Sequence, residues 1–151
     1  MNDYFFTSRW EIKAPIEKVW EAIYHSERWP DWWKGVESVA QLKPGNEKGI
    51  GARRRFTWKS QLPYRLTFEM ETTRVEKPLL LEARASGELE GKGTWHLQPQ
   101  GPFTLICYDW NVRTAKPWMN FLAPIARPLF RWNHDVIMRW GEVGLQQILE
   151  R

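Results

Sequence analysis

The stretch from Arg131 to Leu149, "RWNHDVIMRWGEVGLQQIL", decides the fold, because here the spacing of apolar residues changes from two to about 3.6. Two adjacent apolar stripes run along this part of the chain. One stripe contains Ile125, Leu129, Trp132, Val136, Trp140 and Val143, and the other contains Phe130, His134, Ile137, Gly141 and Leu145. A helix with so broad an apolar face is expected to be largely covered by other elements. We predict a long helix over residues 124–150, with Pro128 in its first turn.

Strand patterns precede this helix, and turn signals separate most of them. They cover residues 4–12, 36–42, 50–59, 65–75, 79–86, 88–98 and 103–112. In "RLTFEMETTRV", the apolar side chains of Leu66, Phe68 and Met70 alternate with polar ones, which is typical of a strand with one buried face. Strands joined by short turns pair antiparallel. The sequence therefore predicts one seven-stranded antiparallel sheet.

Two short helices are predicted between the first and second strands. Apolar residues at helical spacing indicate the first of them, and these are Ile16, Val19, Trp20 and Ile23. Ser26 is placed to cap the second, which runs from Glu27 to Trp33 with Pro30 in its first turn.

This order of elements defines an α+β domain that spans residues 1–151. A curved antiparallel sheet has one face to bury, and the long helix is the only predicted element able to cover it. Because one helix cannot fill the concave side of seven strands, either bulky side chains fill the gap or a cavity is left there. Gly141 and Gly144 on the helix allow a close approach by a neighbouring element or leave space for a ligand.

Composition narrows the class of protein. Aromatic residues make up 15% of the chain, with 11 tryptophans, and rings of this kind suit the lining of a ligand site. The net charge of +4 is scattered rather than gathered in a stripe, which argues against nucleic-acid binding. The single cysteine, Cys107, excludes an internal disulfide, and no run reaches the roughly 18 apolar residues of a membrane span. We expect a soluble cytoplasmic protein.

Several segments resemble the START-like superfamily, also called SRPBCC or the birch-pollen-allergen-like helix-grip fold. They are "APIEKVWEAI", "WPDWW", "KPGNEKGIG", "ASGELEGKGTWHL" and "RWNHDVIMRWGEVGLQQIL". Within the superfamily the chain is similar to the polyketide cyclase/dehydrase-like group. The resemblance covers nearly the whole chain and implies a deep apolar pocket between the sheet and the long helix. It does not choose among lipid carriers, receptors, cyclases and dehydrases.

Residues Trp29 to Trp33, "WPDWW", fall in the second short helix, which the resemblance places across one end of the sheet. Trp29 and Trp33 share one helical face, while Trp32 is rotated by about 100° from Trp33. We expect Trp29 and Trp33 to anchor the segment to the core, or to exchange that role with Trp32, and the remaining face to border the cavity.

Three polar residues on predicted inward faces are the candidates for catalysis: His134, Arg54 and Tyr108. His134 would exchange a proton with a bound carbonyl compound, or it is a core histidine with satisfied nitrogens. Arg54 would meet an acidic side chain or an anionic or carbonyl group of a ligand, unless a bulge or edge exposes it. Arg74 has the same two interpretations.

The predicted ligand-binding residues are mainly aromatic. They are Trp29, Trp32, Trp33, Phe56, Trp58, Phe68, Met70, Trp95, Tyr108, Trp110, Trp118, Phe121, Phe130, His134 and Met138. No metal site is predicted, because the three histidines are scattered and no paired cysteine pattern exists. No cofactor is predicted either.

Two functions fit these observations. The first is binding, or transport, of a small hydrophobic or aromatic ligand such as a lipid, quinone or polyketide-like molecule. The second is acid–base catalysis of cyclisation or dehydration in the same cavity, without a metal. The segment that contains Trp118, Phe121 and Leu122 lies near Lys116, Arg127 and Arg131, so it either makes transient contact with a membrane or forms a lid over the cavity.

Overall fold

The computed structural model describes residues 3–114, 117, 121 and 123–150, and for residues 123–126 it describes the backbone alone. The strands are β1 (Asp3–Ile12), β2 (Val36–Lys43), β3 (Arg53–Lys59), β4 (Arg65–Glu76), β5 (Leu80–Gly87), β6 (Leu89–Gln100) and β7 (Phe103–Thr114). Helix α1 (Ile16–Tyr24) and a 3₁₀ helix (Ser26–Asp31) follow β1, and the long helix α2 (Ala123–Leu149) follows β7.

The seven strands form one antiparallel sheet in the order β1-β7-β6-β5-β4-β3-β2. The chain's first strand closes onto its last, since Phe6 pairs with Trp110, and the other strands pair in sequence order. Helix α2 and the short helices pack on the concave side. This is the helix-grip fold, and the sequence prediction of a curved sheet around a long helix is confirmed.

The first short helix is confirmed, and its four predicted apolar residues are all buried. The second differs from the prediction. It is a 3₁₀ helix in which Ser26 is already the first residue, His25 precedes it and no side chain caps it. Ser26 is itself buried, and the predicted capping hydrogen bond from its side chain is not observed.

Helix α2 buries one of the two predicted stripes more deeply than the other. Phe130, Gly141 and Leu145 are buried, whereas Leu129, Trp132 and Val143 of the other stripe are each about half exposed, at 46%, 47% and 51%. The prediction of a largely covered apolar face therefore holds for one stripe, while among the described residues of the other only Val136 and Trp140 are partly buried. Pro128 also lies in the second turn of α2 rather than in the first.

Two local features of the strands were not predicted. Strand β3 begins at Arg53 rather than at residue 50, because Gly49 and Gly51 adopt positive φ values of 86° and 88° in the preceding turn. In β4, a register shift between Thr72 and Arg74 reverses the alternation. As a result Arg74 points outward and pairs with Glu76, which excludes the inward orientation considered for Arg74.

Candidate functional site

A cavity of about 200 Å³ lies between the concave face of the sheet and α2. Its volume corresponds to about seven water molecules at roughly 30 Å³ each, which is room for a small organic molecule. Most of the predicted ligand-binding side chains line it, and they come from the strands, from the "WPDWW" segment and from α2. Those that line it are Trp29, Trp33, Phe56, Trp58, Phe68, Met70, Trp95, Tyr108, Trp110, Phe130, His134 and Met138.

Aromatic rings form a continuous wall around this space. Trp29 contacts Phe56 with ring centroids 5.5 Å apart, and Trp95 lies 4.1 Å from Tyr108 across the strand pair. Trp33 meets Trp58 edge to face at 5.2 Å. Such rings present flat apolar faces that suit an aromatic or polycyclic guest.

The "WPDWW" segment serves both the core and the cavity. Trp29 and Trp33 are buried and line the cavity, and the indole nitrogen of Trp33 donates a hydrogen bond of 2.8 Å to the carbonyl of Ile137 on α2. A Cβ atom on Gly141 would lie 2.5 Å from Trp33 Cε2, so the absence of a side chain at Gly141 allows this close approach. Trp33 is therefore fixed by α2 while facing the void, and the indole nitrogen of Trp29 donates a hydrogen bond to the carbonyl of Ala22 on α1.

Arg54 lies in the cavity wall because β3 alternates. Arg53 and Arg55 point to the outer face of the sheet, where their side chains are about half exposed, whereas the Arg54 side chain is 15% exposed. Of the two orientations considered for Arg54, the structure shows the inward one. Its Nη2 lies 3.4 Å from Glu27 Oε2, and its Nε is buried without a hydrogen-bond partner among the described residues.

Tyr108 lies deep in the wall next to Trp95. Burial raises the pKa of its phenol well above the usual range, so the hydroxyl is neutral at any physiological pH. A Cβ atom on Gly93 would lie 2.3 Å from the Tyr108 hydroxyl oxygen, so Gly93 gives this hydroxyl its space. Tyr108 can offer a hydrogen bond to a ligand, but it cannot act as a phenolate.

His134 projects from α2 and stacks on Phe6, with centroids 4.4 Å apart and an interplanar angle of 22°. Burial, with a smaller contribution from the charge of Arg131, lowers its pKa to about 4. Its Nδ1 is buried with no hydrogen-bond partner in the described part of the chain and lies 3.9 Å from Asp135 Oδ1. The ring is therefore neutral near pH 7, where it can donate or accept one hydrogen bond.

Further polar groups surround His134 at this end of the cavity. The Tyr4 hydroxyl and Asn133 Oδ1 are buried and have no partner within the described residues. Burial, and then the proximity of Tyr4, raises the pKa of Tyr64 to about 12. This group of neutral polar atoms matches a hydroxyl or carbonyl on a ligand.

Three predicted site residues are not placed in the cavity wall. Trp32 is half-buried and stacks on Trp33 at 5.5 Å, on the side away from the void. Phe121 is 85% exposed, and Trp118 lies outside the described residues. The prediction of membrane contact by this segment stays a prediction.

The sequence analysis missed several lining residues, among them Tyr4, Tyr24, Leu81, Leu89 and Asn133. Tyr4 has the same parity as Phe6 on β1, and that signal was sufficient to find it. Asn133 carried no signal, because it lies between the two apolar stripes of α2.

Among the described residues, no group of three or more histidine, cysteine, aspartate and glutamate side chains is arranged to hold a metal ion. No helix in the described ranges is long and apolar enough to cross a membrane.

Sequence comparison agrees with this architecture. The sequence profile of the family described as polyketide cyclase/dehydrase and lipid transport matches residues 6–140. The chain belongs to this family. No curated protein matches it in sequence. Membership of the polyketide cyclase/dehydrase and lipid-transport family confirms the predicted superfamily, and it leaves binding and catalysis undistinguished.

Solved structures share the fold of this family member at low sequence identity. A protein of Thermus thermophilus superposes with a TM-score of 0.78 at 18% identity, over 96% of this chain and 99% of its own. A START superfamily protein from Mycobacterium smegmatis gives 0.78 at 15% identity, over 97% of both chains. An aromatase/cyclase from a Streptomyces species gives 0.76 at 14% identity, over 99% of this chain and 94% of its own.

Proposed function

We propose that this protein binds, and carries, a small hydrophobic molecule with a flat or aromatic body. The observation that carries the proposal is the cavity between the sheet and α2, which the protein's own aromatic side chains line without filling. Interiors are normally close-packed, and a void of this size loses contacts on all its walls. A ligand that fills it restores those contacts and removes apolar surface from water.

Catalysis is the second candidate, and one observation favours it: His134, Arg54 and Tyr108 all line the same cavity. One of the structural neighbours is an aromatase/cyclase, which is consistent with acid–base chemistry on a polyketide-like compound. The protonation states favour binding instead. A histidine with a pKa of about 4 is almost never protonated near pH 7, so it has no proton to donate as a general acid, and its neutral ring is a weak base. Efficient general catalysts have pKa values close to the working pH.

Turnover of a short poly-β-ketone, followed by mass spectrometry of the dehydrated or cyclised products, separates the two candidates. If the protein is an enzyme of this kind, His134→Ala lowers the rate by about 10²-fold or more, which is the typical contribution of a general acid or base. A binding protein shows no turnover above the uncatalysed reaction. Turnover that His134→Ala does not change removes His134 from the catalytic proposal.

A variant that fills the cavity tests the binding proposal directly. Ala83 lines the cavity on β5, between Thr72 of β4 and Gly93 of β6. Ala83→Trp places a large ring in the void, so we expect binding of the neutral probe 4-(naphthalen-2-yl)butan-1-ol to weaken at least tenfold in isothermal titration calorimetry.

The matched control is Ala40→Trp, which adds the same ring at an exposed position of β2. We expect it to bind the probe like the original protein. Native mass spectrometry of freshly purified protein adds a second readout, the mass of any molecule that co-purifies. Equal binding by the Ala83→Trp and Ala40→Trp variants would place the probe outside the cavity and contradict the proposal.

A further inference from the structure

One charged side chain lies in the wall of this otherwise neutral and mostly apolar cavity. Among the described residues that line it, Arg54 is the only permanently charged one, and none is an aspartate or glutamate. A buried guanidinium without full pairing is costly, because it gives up hydration without regaining equivalent hydrogen bonds. An incompletely paired guanidinium in the wall of a ligand cavity indicates that the ligand supplies the missing hydrogen-bond acceptors.

Glu27 does not satisfy Arg54. The carboxylate approaches only Nη2, at 3.4 Å, which is longer than a strong charge-assisted hydrogen bond. Glu27 is also 37% exposed and is shared with His25, whose Nδ1 lies 3.4 Å from the other carboxylate oxygen. The guanidinium has five N–H donors, and the one at Nε is buried without an acceptor in the described structure.

A second donor lies further along the same strand. The Trp58 indole N–H has the same parity as Arg54 on β3, faces the cavity, and is likewise buried without a partner among the residues described. Arginine and tryptophan side chains can only donate hydrogen bonds. The β3 wall therefore requires acceptor atoms from whatever occupies the cavity.

The neutral polar groups lie elsewhere in the cavity, around Tyr4 and His134. Tyr4 is on β1, at the opposite edge of the sheet order from β3 and β2, and His134 stacks on its neighbour Phe6. The cavity thus offers a cationic group on β3, apolar aromatic walls, and neutral polar groups on β1 and α2.

We propose that the ligand is an amphipathic organic acid whose carboxylate, or ionised enol, binds Arg54 while its apolar body lies among the aromatic rings. A planar oxyanion matches the fork of guanidinium donors, and bidentate pairing satisfies the buried Nε. A hydroxyl or carbonyl at the far end of the ligand accepts or donates a hydrogen bond at Tyr4 and His134. This inference rests on the proposed binding function.

Two probes with the same body test the inference. They are 4-(naphthalen-2-yl)butanoic acid, which is ionised at neutral pH, and the corresponding alcohol, 4-(naphthalen-2-yl)butan-1-ol. By isothermal titration calorimetry at neutral pH we expect the acid to bind at least tenfold more tightly than the alcohol. Raising the salt concentration to about 0.5 M should reduce this preference by about threefold at most, because a buried ion pair is screened little.

Substitution of Arg54 assigns the preference to this side chain. In Arg54→Met, which keeps an apolar stem and removes the charge, we expect the acid and the alcohol to bind with equal affinity. The matched control is Arg53→Met, the adjacent residue on the outer face of β3, which should keep the full preference for the acid. Circular dichroism checks that each variant is folded.

The possible outcomes distinguish failure of this inference from failure of the proposed binding function. Equal binding of acid and alcohol by the unmodified protein overturns the inference and leaves the binding function intact, and this result needs no variant to fold. A preference that survives in Arg54→Met also overturns it. Binding of neither probe contradicts the proposed function, and the inference falls with it.

Discussion

His134 couples the protonation of the protein to its folding. The ring is buried against Phe6, and its pKa of about 4 in the folded state lies below the value of about 6.5 expected in the unfolded chain. Between these two values the unfolded chain binds more protons than the folded protein, so stability falls as the pH falls from about 6.5 to about 4. Above about pH 6.5 the residue is neutral in both states and the effect is absent.

We therefore predict that His134→Phe, which keeps the stacking ring and removes the titration, reduces the loss of stability on acidification. The difference between the two proteins should approach about 3 kcal/mol of unfolding free energy near pH 4, from the size of the pKa shift. Urea unfolding followed by circular dichroism at pH 7.5, 5.5 and 4.5 measures it.

Carboxylates whose pKa is lowered in the folded protein also make the protein less stable in acid, because folding must then compete with their protonation. At Glu21, partial desolvation raises the pKa, but the bonds to Lys77 and His25 together outweigh it and lower the pKa. Such carboxylates are present in both proteins, so they cancel in the comparison. The same dependence of stability on pH in both proteins would show that His134 is not buried as described.

At the scale of single elements, β3 shows what the sequence alone decides. The alternation of "RRRFTWK" predicts that Arg54, Phe56 and Trp58 share a face, and they do. It does not say which face is inside, since that depends on where the strand begins. The turn before β3, with positive φ at Gly49 and Gly51, fixes that point. It is held by local hydrogen bonds, such as that from Gly49 N–H to the Asn46 carbonyl, and by backbone bonds to Thr72 of β4.

For helix α2, the hydrophobic spacing did not decide which face is packed, but two glycines did. Its two apolar stripes are almost equally good candidates for burial by spacing, and the sequence could not separate them. The glycines did separate them, because Gly141 and Gly144 lie where the helix comes closest to Trp33, Trp10 and the Trp32 backbone. Small residues on a helix are thus a better signal of the packed side than hydrophobicity was here.

We predict that Gly141→Ala destabilises the protein by about 2 kcal/mol, although alanine is the better helix former by about 1 kcal/mol. The added Cβ atom would lie 2.5 Å from Trp33 Cε2 and 2.7 Å from Trp10 Cζ2, and neither ring can move without disturbing the core. Thermal and urea unfolding measure the effect.

Val143→Ala is the control on the same helix, since Val143 is half exposed and its truncation should change the unfolding free energy by less than about 0.5 kcal/mol. If Gly141→Ala were as stable as the original protein, α2 and the "WPDWW" segment would not be in the close contact described.

At the scale of the whole molecule, the order of elements was predictable because each one carries its own periodicity. The cavity was predictable only as one of two outcomes, filled or empty. The volume of the cavity is the small difference between two large volumes, that of the space under the sheet and that of the side chains in it. No single residue determines this difference, so the sequence did not predict it. Strand parity predicted lining residues such as Phe56, Phe68 and Trp95, but Tyr4 and Leu81 were missed, and the bulge of β4 turned Arg74 outward.

The tryptophans around the cavity have an optical consequence. Trp29, Trp33, Trp58, Trp95 and Trp110 all border the same void, and the Trp33 ring centroid lies 4.9 Å from that of Trp29, 5.2 Å from Trp58 and 6.1 Å from Trp95. At such spacing, excited indoles exchange energy among themselves, so light absorbed by one is emitted by another. A guest that quenches any one ring will dim several, and the arrival of the natural ligand should be visible as a change in the protein's own ultraviolet emission, without a label.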